Sequence, residues 1–150
     1  MDLFRISLEK HSKKLSSSGR ANRWNLDGQN VIYACSSRSL STLELLVHKA
    51  AVIPKASYKV IVISIADDDH LIKQIFIKDL PRNWRNTSAY PSLQKIGSEW
   101  YINQETLLLK VPSAVIPLEY NYIINMDHPE FSRCVKLIRN EDYFYDSRLF

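Results

Sequence analysis

Between Arg23 and His48 the chain reads RWNLDGQNVIYACSSRSLSTLELLVH, which sets a loop, a strand and a helix end to end and leaves little freedom in how they meet. Asp27-Gly28 is a turn signal, and Val31 to Cys35 is short and apolar, as a buried strand requires. Ser36 to Ser41 offers several helix caps, and the pattern beyond it predicts a helix to about Ala51, stopped before Pro54. On a helical wheel Leu40, Leu43, Leu46, Val47, Ala50 and Ala51 form one apolar stripe with Glu44 on its border. Arg23, Tyr33 and Glu44 therefore stand on three adjoining elements as a cation, an aromatic ring and a carboxylate. Such a set suits an anionic, aromatic substrate held against a single acid. A plainer reading stays open beside it. Ser41 and Glu44 match a capping box, and His48 lies one turn beyond Glu44.

Elsewhere the chain alternates short strand-like runs with polar turns. Leu3 to Ile6 predicts a first strand containing Arg5, and Ser7 to Arg20, with Lys10, Lys13, Lys14 and three serines, predicts an exposed loop. Tyr58 to Ala66 is rich in β-branched residues and ends at the turn Asp67-Asp68-Asp69. Ile72 to Ile77 reads as a strand closed by Leu80-Pro81 and Trp84. Ser88 to Ile102 turns helical, with Leu93, Ile96 and Trp100 on one face, and Gly97 inside it implies close backbone packing. Leu107 to Val111 leads into Pro112-Ser113, where a strand must stop or kink. Tyr120 to Asn125 is strand-like, and Val135 to Ile138 with Tyr143 to Tyr145 predicts a closing hairpin across Asn140-Glu141-Asp142.

One domain over 1–150 accommodates this pattern, with no internal repeat and no linker. A net charge of +4 and a pI near 9.1 favour anionic partners only weakly, because acidic and basic residues are mixed along the chain. Three glycines, Gly19, Gly28 and Gly97, cannot compose a Rossmann or P-loop. No Gly-x-Ser-x-Gly elbow is present. The four histidines and two cysteines are scattered, so no metal site is expected. Cys35 and Cys134 read as reduced core residues, His128 before Pro129 as a turn residue. No signal-like or membrane-spanning run is present, which predicts a soluble cytoplasmic protein.

Taken in order, these landmarks resemble the RES-domain family. They are Arg5, Arg23-Trp24-Asn25, Tyr33, Glu44 before His48, Leu80-Pro81 with Trp84, and Gly97 with Trp100. Further on come Val111-Pro112-Ser113, Asn121, Ile124-Asn125, His128-Pro129 with Phe131, and the terminal Asp146 and Arg148-Leu149. The match departs at Ala21-Asn22, where the family usually has glycines, and at Met126, where proline is common.

The resemblance implies an α+β fold similar to ADP-ribosyltransferase toxins, a split, mostly antiparallel β core with flanking helices. It implies a toxin of a type II toxin–antitoxin pair that degrades NAD+, with NAD+ as substrate and no further cofactor. It also implies an Xre-like helix-turn-helix antitoxin that covers the active site, so that DNA is met only indirectly through that partner. Carried over, the family's site positions fall on Arg23, Tyr33, Glu44 and Ser113, with Arg5 as an added phosphate-side contact. In that scheme Glu44 stabilises the sugar cation, Tyr33 stacks on nicotinamide, the arginines fork onto the pyrophosphate, and Ser113 bonds the nicotinamide end. Two other functions stay open: transfer of ADP-ribose onto a protein, and a non-catalytic module that binds antitoxin or nucleotide.

Overall fold

A computed structural model describes residues 1–49 and 57–149 of the chain. Among these residues seven strands form one sheet: β1 (Asp2–Leu8), β2 (Val31–Cys35), β3 (Tyr58–Ile65), β4 (Ile72–Gln74), β5 (Leu108–Pro112), β6 (Tyr120–Asn125) and β7 (Val135–Asp142). Their order across the sheet is β4-β5-β6-β2-β1-β3-β7. Only the short β4 runs parallel to its neighbour; every other pairing is antiparallel. Among the described residues three α-helices accompany the sheet, α1 (Arg38–His48), α2 (Tyr90–Ile102) and the single turn α3 (Phe131–Cys134). This is an α+β fold with a mostly antiparallel core, the class that the family resemblance implies.

Alternation along the strands builds two cores, one on each face of the sheet. Leu3, Ile32, Ile61, Ile63 and Ile124 meet on one face. Trp24, Trp84, Leu93, Trp100, Leu109 and Ile123 meet on the other, beneath α2. Cys35 and Cys134 are both buried and unbridged. No helix among the described residues is long and apolar enough to cross a membrane.

Several sequence expectations need correction. The helix after β2 takes Ser37 as its cap, with the Leu40 N–H donating to Ser37 Oγ at 3.1 Å. Ser41 therefore lies inside α1, and no capping box joins it to Glu44. The apolar stripe is also weaker than expected: Leu40 is buried, but Val47 is 63% exposed. Ala50, Ala51 and Pro54, on which the expected end of that helix rested, lie outside the described residues. The strand expected over Ile72 to Ile77 stops at Gln74 and passes into a 3-10 turn at Ile77–Asp79. Among the described residues no hairpin forms across Asn140-Glu141-Asp142. β7 runs straight through Asn140, Glu141 and Asp142 because β3 pairs with it as far as Lys59↔Asp142, and Tyr143 to Tyr145 form no strand.

Candidate functional site

The sheet is nearly parted in its middle. β1 pairs with β3 from Asp2↔Ser64 to Leu8↔Tyr58, but with β2 it shares the single register position Phe4↔Cys35. Beyond that point the two halves diverge, and backbone and side chains from both sides wall a cavity of about 710 Å³. That volume falls in the range of small-molecule sites. Arg5, Arg23, Tyr33 and Glu44 all line it. Residues from β1, β2, α1 and two loops thus converge on one hollow.

Glu44 enters from α1 and is held by the opposite half of the sheet. Its Oε1 accepts from Ser113 Oγ at 2.7 Å and from Asn121 Nδ2 at 2.6 Å. Its Oε2 has no hydrogen bond among the described residues, and no ion pair joins Glu44 to His48. One oxygen is fixed and the other is left for a ligand. Ser113 is fully buried, follows β5 directly, and is not itself a wall of the cavity. Its hydroxyl donates to Glu44 and accepts from the Val115 and Ile116 N–H groups at 3.0 and 3.1 Å. Those bonds commit the Ser113 hydroxyl to Glu44 and to the backbone that follows it. Asn121 is oriented in turn, because its Oδ1 accepts from Cys35 Sγ at 3.2 Å. Burial pushes the Cys35 thiol up to about 12, so it stays protonated and can serve as that donor.

The loop bearing Arg23 is built by its neighbours. Asn22 and Asn25 close a tight turn, and buried Asn25 donates to the Arg20 carbonyl at 2.9 Å. Tyr33 reaches up from β2 and locks the turn: its hydroxyl donates to Asn25 Oδ1 at 2.7 Å and accepts from the Trp24 N–H at 3.1 Å. Burial raises the Tyr33 phenol well above its ordinary range, so it remains neutral. From below, α2 grips the same loop through Gln94 to the Asn22 carbonyl at 2.9 Å and through the close passage of Gly97 beneath Trp24. Arg23 then spans the gap to the next loop. Its Nη1 donates to the Trp84 and Arg85 carbonyls at 3.0 and 3.1 Å, and its guanidinium lies 4.8 Å from the centre of the Tyr90 ring.

Electrostatically the cavity is cationic. Arg5, Arg20, Arg23 and Arg85 line it, and none is in an ion pair among the described residues. Arg5 is held at the Ser16 carbonyl at 3.1 Å, and burial lowers its proton affinity because no anion answers it there. Glu44 is the lone carboxylate in the wall among the described residues. An anionic ligand with one electropositive reacting centre fits that distribution.

Three residues at this site were not singled out from the sequence. Asn121 was legible only as a family landmark, since nothing local marks an asparagine in a strand as a ligand to a distant carboxylate. Tyr90 and Arg85 come from a turn whose approach to the Arg23 loop depends on the long-range placement of α2.

Comparison with known proteins agrees with this architecture. Residues 2–146 match the RES domain. "Toxin Res" of Yersinia enterocolitica is 35% identical over 127 residues, covering 85% of this chain and 82% of its own. "Toxin Res" of Photorhabdus laumondii is 30% identical over 153 residues, covering 99% and 97%. A Sphingobium protein named "Prs ADP-ribosylating toxin" is 33% identical over 129 residues, covering 85% and 79%.

Proposed function

This chain belongs to the RES-domain family and is a toxin of that family, and from that premise we propose that it breaks the nicotinamide–ribose bond of NAD+. The observation that carries the reading is the Glu44 carboxylate, with Oε1 clamped by Ser113 and Asn121 and Oε2 open, inside a cavity that four arginines also line.

Breaking that bond develops positive charge on the ribose, as in glycoside hydrolysis. Nicotinamide departs as a neutral molecule from a ring that was already cationic, so no general acid is needed. One carboxylate therefore suffices. Glu44 faces the sugar with its unpaired oxygen, stabilises the oxocarbenium-like centre, and receives a ribose hydroxyl or the attacking water. Ser113 and Asn121 are positioning residues that keep the carboxylate from swinging away. The Tyr33 ring, fixed by its hydroxyl, offers a flat surface to nicotinamide. Arg5 and Arg23 retain unused N–H donors for the pyrophosphate, a recognition that suits the planar guanidinium.

A second reading is favoured by the name of the Sphingobium relative: the same pocket delivering ADP-ribose to a protein acceptor. Regulation follows the family resemblance in this proposal. An Xre-like helix-turn-helix antitoxin seals the cavity in the cytoplasm, and the toxin meets DNA only through that partner.

The test uses purified protein freed of any partner and NAD+ labelled in its adenosine. Free nicotinamide without a labelled protein band supports hydrolysis or phosphorolysis, and runs with and without phosphate separate those two. A labelled band supports transfer. Glu44→Gln is the decisive variant because its amide oxygen accepts the same two hydrogen bonds while the charge is gone. Turnover should fall about a hundredfold or more, with the melting temperature almost unmoved. Parental turnover in that variant would overturn the role of Glu44.

A further inference from the structure

The cavity holds more cationic charge than the pyrophosphate of NAD+ can neutralise. Two of its four arginines, Arg23 and Arg85, belong to the loops near Glu44: Arg23 bonds the Trp84 and Arg85 carbonyls, and Arg85 bonds the Ala114 carbonyl next to Ser113. The other two flank the segment from Ser16 to Ser18. Arg5 shares its strand face with Leu3 by alternation along β1, and its guanidinium holds the Ser16 carbonyl. From that carbonyl the chain continues through Ser17, Ser18 and Arg20, all of which line the cavity.

The donor inventory at this end is unspent. The Ser17 hydroxyl oxygen accepts from the Gly19 N–H at 3.0 Å, and that of Ser18 accepts from the Arg20 N–H at 3.2 Å. Each hydroxyl therefore keeps its own proton without an acceptor among the described residues. The Arg20 guanidinium likewise has neither hydrogen bond nor ion pair among them. Two hydroxyl donors and a guanidinium fork make a receptor for a phosphate monoester, whose several oxygens accept many bonds at once.

We infer that this end of the cavity binds the 2′-phosphate of NADP+, so that the phosphorylated dinucleotide is a substrate alongside NAD+. The inference rests on the proposed dinucleotide chemistry, and it deepens that reading by naming a second substrate. Arginine beside the adenosine ribose is the usual protein answer to a 2′-phosphate.

Two measurements test it. In the first, binding of 2′,5′-ADP and of 5′-AMP to the wild-type protein is compared by calorimetry, which requires no catalysis. The 2′-phosphate should tighten binding about tenfold or more, as befits charge-assisted bonds, and Arg20→Ala should remove most of that gain. A combined Ser17→Ala and Ser18→Ala variant should remove part of it, independently of the arginine. Equal affinity for the two nucleotides, or an unchanged gain in both variants, overturns the inference. In the second, nicotinamide release from NAD+ and NADP+ is followed. Arg20→Ala should lower kcat/KM for NADP+ about tenfold more than for NAD+. Release from NAD+ alone refutes the NADP+ assignment and leaves the cleavage reading standing. If neither dinucleotide is cleaved while 2′,5′-ADP binds tightly, the cleavage reading fails, and NADP+ falls as a substrate with it. If added inorganic phosphate accelerates release from NAD+ and Arg20→Ala cancels that acceleration, the subsite serves free phosphate and the 2′-phosphate assignment is wrong.

Discussion

Ser113 and Asn121 deliver their protons to one and the same oxygen of Glu44, at 2.7 and 2.6 Å, and that sharing has a kinetic signature. Removing either donor lets the carboxylate rotate, so Ser113→Ala and Asn121→Ala should each lower kcat about tenfold, with KM changing much less. The double variant should lose far less than the product of the two, because the first loss already frees the side chain. Stability separates the pair. Ser113→Ala also takes the acceptor from the half-buried Val115 and Ile116 N–H groups, at a cost of about 1 kcal/mol in urea unfolding. Asn121→Ala strands only the Cys35 thiol, a weak donor, and should unfold close to the parent. Additive kinetic losses would mean that the two residues act on different steps. What the sequence conveyed at this scale was residue type rather than partner. Glu44 at the border of an apolar stripe was legible as a carboxylate that could be either poised for a ligand or paired within its own helix. That its neighbours would be a serine 69 and an asparagine 77 positions away was not, since only the folded sheet brings them together.

Among the elements, α2 is the one whose packing controls the site from outside it. A Cβ added at Gly97 would stand 1.7 Å from the Trp24 carbonyl oxygen and 2.8 Å from its carbon, and both are backbone atoms that no rotamer change can move. Gly97→Ala must therefore push the helix away from the Arg23 loop. We expect a loss of about 3 kcal/mol or more in chemical denaturation, at or above the upper end for overpacked cores. A rise in KM for NAD+ should accompany it, because Arg23 and the loop held by Gln94 move together. A variant that unfolds and binds as the parent does would show that the loop is positioned by Tyr33 alone. Close packing at Gly97 was readable from a glycine inside a helical pattern. The bounds of β2 and β6, Val31–Cys35 and Tyr120–Asn125, were equally plain, since both strands are rich in apolar and aromatic residues. β7 was misread for the opposite reason. It is an edge strand, largely exposed over Lys136 to Asn140, and its polar stretch resembles a turn until β3 is seen to pair with it.

At the scale of the whole molecule, the split between β1 and β2 is bridged chiefly by α1. Ser41 donates to the Phe4 carbonyl at 3.0 Å, and Arg38 forks onto Glu141 of β7 with both bonds at 2.9 Å, which ties the helix to the β1-β3-β7 half. Glu44 ties the same helix to the β5-β6 half through Ser113 and Asn121. A dinucleotide lying in the cavity adds contacts to both halves, with Arg5 on one side and Tyr33 and Arg23 on the other. Its binding should therefore stabilise the chain as a unit. In Glu44→Gln, where substrate persists, NAD+ at a hundred times its Kd should add about 2.7 kcal/mol. For a chain of this size that raises the melting temperature by about 5–10 °C. Hydrogen exchange should slow in β1 and β3 as well as in β5 and β6. Slowing confined to one half would place the ligand on a single wall and remove the reason for the split. The family's site positions were readable one by one along the chain, but this mechanical role was not. It arises only where a single register pair, Phe4↔Cys35, is all that joins the two halves of the sheet.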